Sequence, residues 1–174
     1  MDSLQEYALP IDGLRLGVHE FGFKVDRSFF EAFENSAIGE SNFEVQLTLE
    51  KRPNLFVLNF YIQGTIQTEC DRCLEVFDLP IEGSHELLVK YAAEASEEME
   101  VIYIQPETRV LNVARFVYEF IHLTVPMVKN HDASGGECDP DILNILEGQD
   151  YSDEPESDEP NPIWEALRRD FGSN

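Results

Sequence analysis

The chain has 174 residues and carries 12 Lys and Arg against 35 Asp and Glu, which gives a formal net charge of -23 at pH 7. Hydrophobic residues make up 43% of it and include 12 Phe and 6 Tyr, so a folded core is expected and a wholly disordered chain is excluded. A generally phosphate-binding surface is excluded as well, because this negative charge repels nucleic acid and anionic lipid at long range and favours a basic partner.

The N-terminal part of the chain predicts a strand followed by a short helix. Residues 14–25 begin with alternating apolar and polar side chains, which is typical of a strand, and two glycines within them favour bulges. Asp26 is suited to cap a helix over residues 26–36. The apolar face of that helix consists of Phe29, Phe30 and Phe33.

The middle of the chain predicts a β-meander. Residues 43–49 alternate strictly between apolar and polar, which indicates a strand with one face in the core. The turn-forming residues 51–54 lead into an apolar run, 55–62, that is typical of a central strand. Further antiparallel strands are predicted over residues 66–69, 74–81, 85–91 and 100–106. The acidic stretch 93–100 is predicted to be a solvated loop.

The last third of the chain changes to helical patterns. Apolar residues recur at helical spacing over residues 109–123, and the Asp-Pro pair at 139–140 can start a second, short helix. Residues 147–160 contain seven acidic residues and two prolines, which is the composition of a disordered linker. Residues 161–174 predict a helical tail, because an Asn-Pro pair precedes an apolar face.

These patterns together predict an α+β fold. A curved antiparallel sheet of six or seven strands, open or closed into a barrel, is expected to carry the 109–123 helix on one side and a tethered C-terminal helix. One domain is expected over residues 1–146, followed by the linker and the tail. No apolar run approaches the roughly 20 residues needed to cross a bilayer, and no secretory signal pattern is present, so a cytoplasmic protein is expected.

Three cysteines and one histidine predict a metal site. Cys70 and Cys73 form a C-x-x-C pair where a strand should turn, so both sulfur atoms can approach one point. Cys138 lies in a glycine-containing loop that also carries His131. Three thiolates and one imidazole are a sufficient tetrahedral set for zinc, so the predicted ligands are Cys70, Cys73, His131 and Cys138.

Three other interpretations of these residues stay open. Cys70 and Cys73 can be buried thiols at a turn without any ligand. They can also be a redox pair, although the two glutamates that flank them disfavour a thiolate, so a low pKa of Cys70 is not expected. Finally, Cys138 can be a nucleophile with His131 as its base, without an identified oxyanion hole.

The remaining ionisable residues indicate no enzyme class. His85 and His122 fall on polar faces of their elements and are expected to contact solvent. The acidic run 150–159 lacks the glycine and the terminal glutamate of an EF-hand loop, so we interpret it as a solvated tether. The common nucleotide-binding and hydrolase motifs do not occur in the sequence.

Four segments occur in an order that resembles one bacterial family. They are T-E-C-D-R-C at 68–73, E-F-I-H-L-T-V-P at 119–126, H-D-A-S-G-G-E-C at 131–138 and N-P-I-W-E-A-L at 161–167. In this order they resemble the YceD family, the large ribosomal RNA subunit accumulation proteins. The likeness extends over roughly residues 40–170.

The resemblance implies a non-enzymatic ribosome biogenesis factor that supports accumulation or processing of large-subunit rRNA. On matching positions it implies a metal or structural cluster of Cys70, Cys73, His131 and Cys138. Together with the negative charge, it leads us to expect a basic large-subunit ribosomal protein or an rRNA-protein particle as partner, and no membrane. A direct RNA-binding module and a C-x-x-C thiol oxidoreductase are the alternatives.

Overall fold

The structure is a computed structural model that describes residues 4–33, 36–98 and 101–148. The chain divides into two compact units, residues 1–138 and residues 139–174. Within the three described ranges, no helix has both the length and the apolar character that a membrane crossing requires.

The described residues form two β-sheets. The strands are, in chain order, β1 (Ala8–Pro10), β2 (Gly17–Asp26), β3 (Ser41–Lys51), β4 (Leu55–Glu69), β5 (Val76–Tyr91), β6 (Ser96–Glu98), β7 (Val101–Ile104) and β8 (Val110–Asn112). Six of them form one sheet with the order β2-β3-β4-β5-β7-β6, and β1 pairs with β8 in the other. The mixed α+β class is therefore as predicted.

Strands β2 to β5 form the predicted antiparallel meander. In β3, the apolar half of the alternating pattern is buried, namely Phe43, Val45, Leu47 and Leu49. β4 lies between β3 and β5, as predicted for a central strand, and three consecutive residues at its start, 56–58, are buried, so both faces of the strand are covered there. β4 pairs with β5 along its whole length, from Leu55 opposite Lys90 to Glu69 opposite Val76. This long hairpin carries the turn that contains the C-x-x-C pair.

The six-stranded sheet differs from the prediction in its edges and in one strand direction. It stays open, with β2 and β6 as edge strands in the described part of the chain, so closure into a barrel is not confirmed. β7 runs parallel to β5, where only antiparallel pairs were predicted. β6 lies in the stretch predicted to be a loop, because an edge strand that is exposed on both faces needs no apolar residues.

β5 is one continuous strand where two were predicted. Pro80 lies in a part of β5 whose only strand neighbour among the described residues is β4, so the missing N–H is tolerated there. At Gly83 the strand passes directly beneath a helix, since a Cβ atom would lie 2.5 Å from Cγ2 of Thr124. The proline and the glycine therefore lie within one strand and do not mark a turn.

The small sheet of β1 and β8 was not predicted. Residues 110–112, which form β8, were assigned to the start of a helix, and no element was expected before residue 14. Leu9 pairs with Leu111, and both are buried in the core. Strands of three residues are too short to show a period, and their pairing partners lie about a hundred residues apart in the sequence, so a local pattern cannot detect them.

Among its described residues, the first unit has two α-helices, α1 (Arg27–Glu31) and α2 (Ala114–Thr124). Asp26 caps α1 as predicted, because its carboxylate accepts a hydrogen bond of 2.9 Å from the N–H of Ser28. α2 begins five residues later than predicted, where the Asn112 side chain accepts a 2.9 Å hydrogen bond from the N–H of Ala114. It ends before Pro126, as predicted.

Two histidines that were expected to contact solvent are partly buried, His85 against α2 and His122 within that helix. The ring of His85 stacks on Phe120, with centroids 4.7 Å apart, and its Nε2 lies 2.8 Å from the hydroxyl of Thr124. Burial lowers the pKa of His85. His122 donates from Nδ1 to the carbonyl oxygen of Tyr118 at 2.8 Å. The expectation of surface imidazoles was wrong at both positions, because His85 packs on one aromatic ring, Phe120, and His122 packs against two, Phe30 and Tyr118.

The second unit is described through one helix, α3 (Pro140–Gly148). The Asp139 carboxylate accepts a 2.8 Å hydrogen bond from the N–H of Asp141, as expected for the predicted cap. The predicted linker, 147–160, overlaps the last two residues of α3 and otherwise lies outside the described residues, as does the predicted helical tail. Those two assignments, and the domain boundary at residue 146, stay predictions.

Gly64 is the position in β4 where an added side chain is expected to be tolerated least. A Cβ atom there would lie 2.7 Å from Cα of Phe43, a backbone atom of β3 that cannot move away freely. We expect Gly64→Ala to lower the free energy of unfolding by about 2–3 kcal/mol, measured by urea unfolding followed by circular dichroism. Gly22→Ala is the matched control in a strand, because no atom lies within 4 Å of its added Cβ. Equal unfolding midpoints for the two variants would contradict this packing.

Candidate metal centre

The β4–β5 hairpin ends in a cysteine turn, residues 70–75. The N–H of Cys70 donates to the carbonyl oxygen of Glu75, and the N–H of Leu74 donates to that of Cys70, both at 2.9 Å. Leu74 has a φ of 62°, in the left-handed region that leucine rarely adopts. The turn thereby returns to β5 with both thiols directed inward, since Cys70 and Cys73 are 0% and 2% exposed.

His131 and Cys138 lie on a histidine loop, residues 129–138. His131 begins a short 3₁₀ turn that ends at Gly135, whose φ of 72° is accessible to glycine without strain. The N–H of Gly136 donates to the carbonyl oxygen of His131 at 3.0 Å. The loop therefore folds back on itself, which brings its two ends to the same side.

Backbone hydrogen bonds join the histidine loop to the cysteine turn. The N–H of Asp71 donates to the carbonyl oxygen of Lys129 at 2.7 Å, and the Asp71 carboxylate accepts from the N–H of Lys129 at 2.6 Å. An ion pair of 3.2 Å between Arg72 and Asp132 adds a second, exposed link. These contacts fix the two segments against each other independently of the cysteine sulfur atoms.

The two segments place four ligand atoms around one buried point. The side chains involved are those of Cys70, Cys73, His131 and Cys138, and their ligand atoms all lie within 4.8 Å of one another. The Sγ atoms of Cys70 and Cys138 are 3.7 Å apart. Nδ1 of His131 lies 3.5 Å from Sγ of Cys73 and 3.5 Å from Sγ of Cys138. All four side chains are buried, and His131 and Cys138 are each 7% exposed.

These distances fit a tetrahedral zinc ion. Bonds of about 2.3 Å from zinc to sulfur and about 2.0–2.1 Å to nitrogen give a tetrahedron whose sulfur-sulfur edges are about 3.8 Å and whose sulfur-nitrogen edges are about 3.5 Å. Three of the six separations in the cluster, one of 3.7 Å and two of 3.5 Å, match these edges, and the other three are at most 4.8 Å. Three thiolates and one imidazole are also the ligand chemistry that a structural zinc site uses. The cluster therefore has the ligand types and the approximate spacing that a zinc site requires.

The thiols of this cluster have strongly shifted pKa values. Burial raises the pKa of Cys70, but hydrogen bonds from surrounding groups, mainly the N–H groups of Cys73 and Arg72, outweigh it and lower that pKa to about 6. Burial, together with hydrogen bonds to the other two cysteines and their charges, raises the pKa of Cys138 to about 11. The prediction that the pKa of Cys70 would not be low was wrong, because it weighed the charges of neighbouring residues and did not include the hydrogen bonds that the folded turn donates to the thiolate. In the absence of a bound cation, these pKa shifts favour ionisation of one thiol and oppose ionisation of a second.

Two neighbours orient the imidazole of His131. The ring lies against Phe77, with centroids 4.5 Å apart. Its Nε2 is 3.9 Å from a carboxylate oxygen of Glu75, while its Nδ1 faces the sulfur atoms. Carboxylates commonly occupy this position behind a ligating histidine, where they favour the tautomer whose other nitrogen binds the metal.

The geometry supports metal ligation better than the other chemistries considered for these residues. A pKa of about 6 is a property of reactive thiols, but the fully buried Cys70 sulfur offers no access to a disulfide substrate. Cys138 lies within reach of His131, yet its raised pKa, about 11, opposes a role as nucleophile. Neither alternative uses all four converging side chains.

The structure brings together all four side chains that the sequence singled out, and their binding of a metal stays a prediction. Sequence reasoning missed the contacts that hold them in place. Lys129 contributes only backbone groups, which leave no signature in side-chain type, and the Asp71 carboxylate bonds to a residue 58 positions away, which a local pattern does not reveal. The left-handed conformation of Leu74 was missed because glycine or asparagine is the usual signal for it.

A comparison with protein families gives one match. A family model described as "Large ribosomal RNA subunit accumulation protein YceD" matches residues 58–169, a range that contains all four cluster residues. No curated protein and no solved structure matches the chain.

We expect the purified full-length protein to contain about one zinc ion per chain, measured by elemental analysis. A chelator is expected to lower its melting temperature by about 10 °C or more, because structural zinc contributes on the order of 10 kcal/mol of apparent binding energy in small domains. Cys138→Ser should lose the metal, whereas Glu137→Gln, beside it on the same loop, should retain it. Protein that contains no metal and melts identically with and without chelator would contradict the assignment.

Proposed function

Because this chain belongs to the YceD family, described as large ribosomal RNA subunit accumulation proteins, we propose that it is a ribosome biogenesis factor of the cytoplasm. It supports the accumulation or processing of large-subunit rRNA by binding, and it catalyses no step itself. The observation that carries the proposal is the family match, which extends over most of the chain and includes the candidate metal centre.

The charge of the molecule supports a basic partner. At a net charge of -23, its long-range field attracts Lys- and Arg-rich polypeptides and repels free RNA. The large ribosomal subunit is assembled from rRNA and basic proteins, so the partner we propose is a basic large-subunit protein or an rRNA-protein intermediate. Electrostatic complementarity raises the association rate and the selectivity of such a complex more than its affinity.

The distribution of positive charge argues against direct binding of naked RNA. A basic patch needs several Lys and Arg side chains that are free to contact phosphates. Among the described residues, four arginines already form ion pairs with carboxylates, namely Arg27, Arg52, Arg72 and Arg115. The ammonium group of Lys51 donates a hydrogen bond of 3.1 Å to the carbonyl oxygen of Ile11. These five basic residues therefore neutralise local carboxylates or stabilise the fold.

The metal has a structural role in this proposal. The cysteine turn and the histidine loop have little secondary structure, and the cluster joins them at the end of the long β4–β5 hairpin. Zinc would hold both segments in one conformation before the partner binds, which reduces the entropy lost on binding. The partner then recognises the end of the hairpin in this one rigid conformation.

The proposed function predicts a defect in cells that lack the protein. We expect the ratio of large-subunit to small-subunit rRNA to fall, measured by quantitative electrophoresis of total RNA from growing cells. A plasmid copy of the natural sequence should restore the ratio, and the double variant Cys70→Ser, Cys73→Ser should not, because the turn loses two of its four ligands. An unchanged ratio in the deletion strain would contradict the proposal.

A further inference from the structure

Four apolar side chains beside the metal centre are exposed to solvent, and we call them the knuckle face. They are Leu74 (72% exposed), Val76 (54%), Met127 (98%) and Val128 (64%). The first two lie in or next to the cysteine turn, and the last two directly precede Lys129, whose backbone is hydrogen-bonded to Asp71 of that turn. Both pairs therefore belong to the same end of the first unit. Grouped apolar side chains of this kind are typical of interaction sites.

Leu74 is unusual in both its backbone and its side chain. Its φ of 62° is costly for a branched, bulky residue, whereas glycine or asparagine adopts this conformation readily. Its side chain is 72% exposed, so burial within the protein does not offset that cost. A leucine that destabilises the turn and packs little within its own chain is explained if it contacts another molecule.

The knuckle face is surrounded by negative charge. The flanking segments, residues 69–78 and 127–138, contain six acidic and two basic side chains, a local net charge of -4. One of the two basic residues, Arg72, already forms an ion pair with Asp132. A zinc ion bound by three thiolates and a neutral imidazole would add a further negative charge. An apolar centre with an acidic rim is complementary to a basic polypeptide that carries an apolar side chain.

We propose that the knuckle face is the surface through which the protein binds a Lys- and Arg-rich segment of a large-subunit protein. This inference rests on the function proposed above and names the surface and the chemistry of the partner. The partner's apolar side chain packs on Leu74, and its basic side chains pair with the carboxylates of the rim. RNA is disfavoured because its phosphates meet the same carboxylates, and a second copy is disfavoured because two such rims repel each other.

The variant Leu74→Asn separates binding from folding. Asparagine tolerates a positive φ, so the turn keeps its backbone and the four metal ligands, while the apolar side chain is removed. The matched control is Leu16→Asn, which removes a leucine of similar exposure, 65%. Leu16 directly precedes β2, at the end of the sheet where β2 pairs with Lys51 of β3. The cysteine turn joins β4 to β5 at the opposite end of the sheet. The two substitutions therefore make the same chemical change at opposite ends of the sheet.

The assay uses the full-length, zinc-loaded proteins, immobilised and presented with two probes. One probe is the RNA-free protein mixture extracted from purified large ribosomal subunits, and the other is the protein-free rRNA of the same subunits. We expect the natural sequence and Leu16→Asn to retain a Lys- and Arg-rich subunit protein, identified by mass spectrometry, and to release it at about 0.5 M salt. Leu74→Asn should retain at least about tenfold less, with unchanged zinc content and a melting temperature that is equal or higher.

Several outcomes would overturn the inference. Retention by Leu74→Asn equal to that of the natural sequence would show that the partner does not use this residue. Retention of rRNA that is lost in Leu74→Asn would assign the surface to RNA, and self-association lost in that variant would assign it to a second copy. If the natural sequence retains no subunit protein while deletion cells still lack large-subunit rRNA, the docking inference fails and the proposed function stands. If deletion cells have a normal rRNA ratio, the proposed function itself fails.

Discussion

Four ligand atoms from two distant parts of the chain lie within 4.8 Å of one another in a buried site, and this convergence constrains the structure around it. Three thiols in such a space cannot all ionise without a cation, as the opposite pKa shifts of Cys70 and Cys138 indicate. The backbone hydrogen bonds between Asp71 and Lys129 hold the two segments in register. The β4–β5 ladder supports the turn, and the left-handed Leu74 allows it to close with both cysteines inward.

The same arrangement connects the metal centre to the proposed binding of a partner. A turn that is fixed by four ligands presents its outer side chains in one conformation, so little conformational entropy is lost when they are covered. The acidic composition acts on the partner at longer range, because its electrostatic field attracts basic molecules before contact and repels RNA. In the proposed complex, apolar contact at the knuckle face would supply the selectivity that a diffuse negative field lacks. No reaction is required of any residue in this account.

The sequence predicted those features that depend on local pattern, and missed those that depend on distant pairing. Strand β3 was predicted by its strict alternation, and Asp26 was predicted to cap α1 by its side-chain type. The short β1 and β8 and the parallel pairing of β5 with β7 have no local signal, since their partners are chosen by tertiary packing. The cluster residues were found because Cys and His are rare and chemically distinct. Their supporting contacts were not found, because they join residues about 60 positions apart in the sequence and partly use backbone groups, which are the same in every residue.

The central claim is that the end of the molecule next to the metal centre contacts a basic protein of the immature large subunit. It is tested most directly by replacing Met127, which is 98% exposed, with a photo-crosslinking amino acid in growing cells. After irradiation, the crosslinked species would be purified and identified by mass spectrometry. The account predicts one or a few Lys- and Arg-rich large-subunit proteins, recovered from particles lighter than the mature subunit. Crosslinks to rRNA alone, or to proteins unrelated to the large subunit, would contradict it.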